Sequence, residues 1–189
     1  VSFYITNQKI FGNQLDKLND KKRKQIQDEF KKELRPTFAD FFAGAGGLSC
    51  GFTQAGFRVC FANDFEDVCV RTYRYNHPEV PVDKVVKDDI RKIVDNVQNY
   101  IDEDVDVVVG GPPCQGFSTA NRQRIIDDPR NNLYKAYLQF LNVVRPKFFV
   151  MENVRGMANK IEEIKQNFRE YLGEEYQFDA AVLQAQDFG

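Results

Sequence analysis

From Thr37 onward, short apolar runs alternate with amphipathic stretches of about 10–15 residues, the rhythm of a parallel sheet flanked by helices. The pattern predicts strands near 37–42, 57–62, 84–88, 105–109, 147–151 and 177–184, and helices near 48–55, 65–76, 90–100, 132–144 and 160–172. Gly and Pro punctuate loops at 43–47, 110–116, 127–131 and 155–156. The fold class that follows is α/β, a doubly wound, mostly parallel sheet. Residues before 37 read differently. Leu15, Leu18, Ile26, Phe30 and Leu34 recur at helical spacing among many lysines, which makes one amphipathic helix, and Arg35-Pro36 closes it. Two parts are therefore expected, a helical extension over 1–36 and a domain over 37–189.

Composition narrows the class. The 189 residues carry 26 Lys+Arg against 28 Asp+Glu and are 42% hydrophobic, which excludes a disordered chain and leaves a single well-filled domain. Runs such as Val105 to Val109 or Phe148 to Met151 are far shorter than the ~20 residues that cross a bilayer, and no secretion signal opens the chain. A cytoplasmic or nucleoid-associated protein without a membrane partner is expected. Cys50, Cys60, Cys69 and Cys114 form no C-x-x-C pattern, so reduced thiols and no metal are expected. Charge is segregated. Arg122, Arg124, Arg130, Lys135, Arg145 and Lys147 outnumber Asp127 and Asp128, whereas 162–179 is acidic, so the basic stretch is the one able to face a polyanion.

Candidate chemistry gathers at strand ends. Phe41-Phe42-Ala43-Gly44-Ala45-Gly46-Gly47 leaves the first strand and opens a helix, where an open parallel sheet binds ligands. Asp64 follows Gly44 by 20 residues, where a carboxylate can accept both hydroxyls of a ribose, and Phe65 could stack on an adenine. Asp89 ends the third strand. A dinucleotide site competes with this reading, but Ser49 stands at the third glycine position, which favours a nucleoside without phosphate. A helix N-cap remains the alternative for Asp64.

The fourth strand runs into Gly110-Gly111-Pro112-Pro113-Cys114-Gln115-Gly116-Phe117-Ser118, whose prolines present the Cys114 thiol from a stiff turn. The other three cysteines read as small buried hydrophobes. The fifth strand ends in Glu152-Asn153-Val154, and a carboxylate after four apolar residues is expensive to bury without a purpose. If the fourth and fifth strands are neighbours, thiol and carboxyl flank one small substrate; a cap on the next helix is the alternative for Glu152.

Together with Asp128-Pro129-Arg130-Asn131, these motifs occur in the order and spacing of the cytosine-C5 DNA methyltransferase family, which the chain resembles over about 37–189. The resemblance implies a Rossmann-like S-adenosylmethionine-dependent methyltransferase fold, S-adenosylmethionine as donor and S-adenosylhomocysteine as product, and double-stranded DNA, as in restriction-modification. It implies that Phe42, Ala43, Gly44, Gly46, Gly47, Leu48, Asp64, Phe65, Asp89, Ile90 and Pro112 line the donor site. Cys114 would add to C6 of a flipped-out cytosine, Glu152 would hold N3, Asn153 would support the loop, and Gln115, Ser118 and Arg130 would contact the substrate. A tRNA cytosine-C5 methyltransferase shares these motifs, and a non-catalytic regulatory subunit is the reading from another class. The family continues past Gly189 with a seventh strand, a target-recognition region and a terminal helix, so a fragment, or one half of a split enzyme completed by a separate C-terminal subunit, is expected.

Overall fold

A computed structural model describes residues 35–113 and 131–188 of the chain. The expected helix before residue 35 and the stretch carrying Cys114, Gln115, Ser118 and Arg130 lie outside the described residues. Five strands, β1 (Thr37–Phe41), β2 (Arg58–Asp64), β3 (Val85–Lys87), β4 (Val107–Gly110) and β5 (Phe148–Met151), pair in parallel in the order β3-β2-β1-β4-β5. The five described α-helices are α1 (Gly47–Gln54), α2 (Asp67–Asn76), α3 (Ile90–Asp95), α4 (Asn132–Val144) and α5 (Ile161–Leu172).

Side chains alternate along each strand and so feed two cores. Phe38, Val59, Ala62, Val107 and Val109 pack with Val70 and Tyr73 of α2, with Leu48 and Phe52 of α1 against them. Ala39, Phe41, Phe61 and Val108 meet Ile90 and Ile93 of α3, Tyr134, Tyr137 and Leu141 of α4, and Ile164 and Phe168 of α5 on the other face. The sheet is thus wound on both sides. One register shift interrupts the alternation: Phe38 pairs with Val59 but Ala39 with Phe61, and the extra residue, Cys60, is turned into the α3–α5 core. Helix ends follow local chemistry. Glu162 and Glu163 sit in the first turn of α5, Gly173 ends it with φ of 78°, and Arg145 ends α4 at φ 52° just before Pro146.

Two expectations need correction. The helix expected over 90–100 stops at Asp95, because Asn96 adopts φ −145°, and a short 3₁₀ turn Val97–Asn99 follows. The strand expected at 177–184 is not formed among the described residues. A strand exists only through a ladder partner, and 177–184 has none, although Tyr176 and Phe178 pack their rings on Phe149. Val182 and Leu183 are exposed as a result. Among the described residues β5 is consequently an edge strand, with Phe148 and Val150 exposed on one face. Among the described residues no helix is long and apolar enough to cross a membrane.

Candidate functional site

Strand order reverses between β1 and β4, and the loops leaving their carboxyl ends flank that switch point. The glycine loop after β1 is strongly bent: Phe42, Gly44 and Gly46 all have positive φ, at 56°, 54° and 89°. For a phenylalanine that conformation is an outlier, held here by surrounding bonds. Ala43 N donates to Asn63 O at 3.0 Å, Gly46 N to Ala43 O at 2.8 Å, and Gly44 N to Asp64 Oδ2 at 2.9 Å. Asp64 Oδ1 accepts from Glu66 N at 2.9 Å. The carboxylate, which the Cys69 thiol also meets, thus ties the loop to the start of α2 and retains acceptor capacity for a further donor. Phe65 beside it is 65% exposed, and a Cβ placed on Gly44 or Gly47 would meet nothing within 4 Å among the described residues.

The remaining residues expected around a donor fall into two groups. Ala43 and Leu48 are half-buried against the α1–α2 core. Asp89 caps α3, accepting from Arg91 N at 2.9 Å, and pairs with the Arg91 guanidinium, which holds its carboxyl below the usual range. Ile90 is 2% exposed and packed into the core, so its side chain is closed to a ligand, and Pro112 is buried as well.

At the neighbouring strand ends, β4 and β5 do lie side by side. Glu152 N donates to Gly110 O at 2.9 Å, and Asn153 Nδ2 donates to Pro112 O at 2.8 Å while Asn153 Oδ1 accepts from Val154 N. Asn153 therefore stitches the Glu152 turn to the loop that leads to Cys114. Glu152 Oε2 lies 3.1 Å from where a Cβ of Gly111 would stand, which puts its carboxylate over that loop. Among the described residues Glu152 is exposed at the end of the outermost strand, β5, so they do not support the sequence argument from the cost of burying it. Two of the three described cysteines diverge from expectation. Only Cys60 is buried, its thiol pushed up to about 12 by loss of solvent, while Cys50 is exposed and Cys69 half-buried on helix surfaces.

Sequence reading missed the polar groups beneath the glycine loop. Asp40, in the middle of β1, is fully buried; Ser49 Oγ donates to Asp40 Oδ2 at 2.6 Å and lies 2.6 Å from Tyr73 Oη. Ser49 thus anchors α1 to β1 from the third glycine position. From the end of α2, Asn76 Nδ2 donates to Ala45 O at 2.8 Å, and His77 Nε2 lies 3.0 Å from Gly46 O. A charged residue inside an otherwise apolar strand was the available signal.

Burial raises the Asp40 carboxyl from 3.8 to about 7, against the Ser49 hydrogen bond that lowers it. The folded state then keeps a proton that the unfolded chain releases near 3.8, so stability falls as pH rises from about 4 to about 7 and levels off above. An Asp40→Asn protein cannot ionise there and still accepts from Ser49. Between pH 5 and 8 its unfolding free energy should gain on that of the parent by about 3 kcal/mol in urea titrations; a gap that does not move with pH would refute this.

A model of the C-5 cytosine-specific DNA methylase family matches residues 36–189. Type II methyltransferase M1.HphI of Haemophilus parahaemolyticus is 41% identical over 162 residues, covering 81% of this chain and 42% of that protein. Type II methyltransferase M.AgeI of Thalassovita gelatinovora is 48% identical over 122 residues, 64% of this chain and 28% of that protein. A solved structure named as a DNA modification methyltransferase from an E. coli prophage superposes with a TM-score of 0.64 at 31% identity, covering 82% of this chain and 42% of that one. The chain thus spans well under half the length of these relatives. With the match running from the start of β1 through the glycine loop and the Glu152 turn, the chain belongs to the C-5 cytosine-specific DNA methylase family.

Proposed function

We propose that residues 37–189 form the donor-binding and catalytic part of a DNA (cytosine-5)-methyltransferase. The observation that carries this reading is the juxtaposition at the switch point: an open glycine loop with Asp64 and exposed Phe65 on one side, and Glu152 held over the loop leading to Cys114 on the other. The residues fit S-adenosylmethionine. Among the described residues nothing lies within 4 Å of a Cβ placed on Gly44 or Gly47, the Asp64 carboxylate can accept from a ribose hydroxyl, and Phe65 offers a face to the adenine. When bound, the donor supplies an electrophilic methyl group on a sulfonium.

C5 of cytosine is a poor nucleophile. Cys114 adds its sulfur to C6, which pushes electron density onto C5, while Glu152 shares a proton with N3 and so offsets the charge that develops on the ring. Once C5 is methylated its proton leaves, and the electrons of that bond expel Cys114 and restore the aromatic ring. The cytosine must leave the duplex first, at a cost of a few kcal/mol; Gln115 and Ser118 are assigned to the displaced strand and Arg130 to the substrate, as a positive charge that favours the thiolate. Double-stranded DNA is therefore the proposed partner.

The intact protein should transfer label from S-adenosylmethionine to duplex DNA and form a denaturation-resistant adduct with DNA containing 5-fluorocytosine, because fluorine blocks the elimination. Adduct with RNA and none with DNA would move the substrate to RNA. No transfer to either would sink the proposal.

A further inference from the structure

His77 and Asn76, at the carboxyl end of α2, grip two consecutive carbonyls of the glycine loop, and nothing in the chemistry proposed above uses them. His77 is 5% exposed, its ring lies 4.5 Å from that of Tyr73, and its Nδ1 is 3.1 Å from Oε1 of Glu79, itself 3% exposed. A carbonyl oxygen only accepts, so the bond to Gly46 O places a hydrogen on Nε2, and the contact of Nδ1 with Glu79 Oε1 holds the ring from its other nitrogen through a second hydrogen, carried by Nδ1 or by the carboxyl. The fit is close: a Cβ on Gly46 would stand 2.1 Å from His77 Nε2 and 2.4 Å from Cδ2.

The consequence lies in the peptide plane. In a trans peptide the C=O and the following N–H point in opposite directions. Drawing the Gly46 carbonyl toward α2 therefore turns the Gly47 N–H to the opposite side of that peptide, at a residue whose own Cβ position is open. Gly47 is also the first residue of α1, where N–H groups have no partner within the helix.

Resting on the donor site assigned above, we infer that Asn76 and His77 are positioning residues for the methyl donor: they set the Ala45–Gly47 backbone in the form that receives it. Neither touches the reacting atoms. Their loss should weaken donor binding and leave the chemical step of the saturated enzyme in place.

The test is donor affinity in the intact protein, measured by calorimetry with S-adenosylhomocysteine, alongside kcat at saturating S-adenosylmethionine. His77→Phe keeps a ring against Tyr73 but removes the donor to Gly46, and should raise Kd about tenfold with kcat changed less than about threefold. His77→Gln can place an amide N–H where Nε2 stands, and should restore Kd to within about threefold of the parent. Asn76→Ala, at an exposed position, should raise Kd about fivefold, and it carries the test if the phenylalanine protein does not fold. Variants that lose thermal stability but bind donor with the parental Kd overturn the inference and leave the donor site standing. A parent protein that binds no donor overturns both.

Discussion

A Glu152→Gln protein is expected to bind the methyl donor as the parent does and to turn over roughly 10²–10⁴-fold more slowly on duplex DNA. The substitution keeps shape and hydrogen-bonding capacity at the end of β5, so the backbone bond from residue 152 to Gly110 O and the Asn153 stitch to Pro112 O should survive. What disappears is a group able to pass a proton to N3 while sulfur adds to C6. Cys114→Ala removes the nucleophile itself, and transfer should fall to background with no adduct on 5-fluorocytosine DNA. The glutamine protein, by contrast, should still form that adduct, only slowly. Equal turnover by the Glu152→Gln and parent proteins would leave the carboxylate without a chemical role and reduce it to an exposed residue at a strand end.

The two proteins also separate what the sequence made visible from what it hid. Every β-strand that the structure contains was legible, because a parallel sheet covered on both faces demands continuous apolar runs such as Val107-Val108-Val109 bounded by Gly and Pro. The run at 177–184 satisfied the same test and forms no strand among the described residues, since apolar character invites pairing but does not supply the partner. The glycine loop and Asp64 were legible through spacing. The bond from Gly44 N to Asp64 Oδ2 was not, nor was the use of Asp89 to cap α3, because both depend on where a carboxylate rotamer points. Glu152 was noticed on an argument from burial that its exposure among the described residues does not support, yet Asn153, given a supporting role by resemblance alone, does bridge the two loops.

Buried polar groups were the largest blind spot. Asp40 sits among Phe38, Ala39 and Phe41, and its partner Ser49, with Tyr73 behind it, comes from outside the strand. Periodicity marks which face a residue takes, and on that face Asp40 looks like an error in an apolar strand. Only the folded chain shows that α1 brings it the Ser49 hydroxyl, which the Tyr73 hydroxyl of α2 meets in turn. The same holds for His77, whose single occurrence in the chain gave no metal pattern and no catalytic pairing, although it contacts the backbone of the loop that the glycines make possible.

Two alanine substitutions one residue apart should have opposite consequences, and together they test whether that loop is a donor site or only a tight turn. Gly46→Ala meets two costs: a left-handed φ of 89° and a methyl 2.1 Å from the buried ring of His77. Strain of about 1–3 kcal/mol and overpacking of about 1–3 kcal/mol make this among the most destabilising single changes available, with a loss of about 4 kcal/mol and a Tm lower by about 10 °C. Adding His77→Ala should recover part of that loss, because the methyl then has room while the backbone strain stays; a coupling of about 1–3 kcal/mol is expected in a double-mutant cycle. Gly47→Ala is different, since its φ is not positive and its methyl would meet nothing within 4 Å among the described residues. Stability should hold or rise by up to about 1 kcal/mol, as a glycine in a helix is replaced by alanine. If the open space is where the adenosyl group rests, that methyl intrudes on it, and donor affinity should fall by tenfold or so despite an unharmed fold. A Gly47→Ala protein that is stable and binds donor with parental affinity would place the ligand elsewhere.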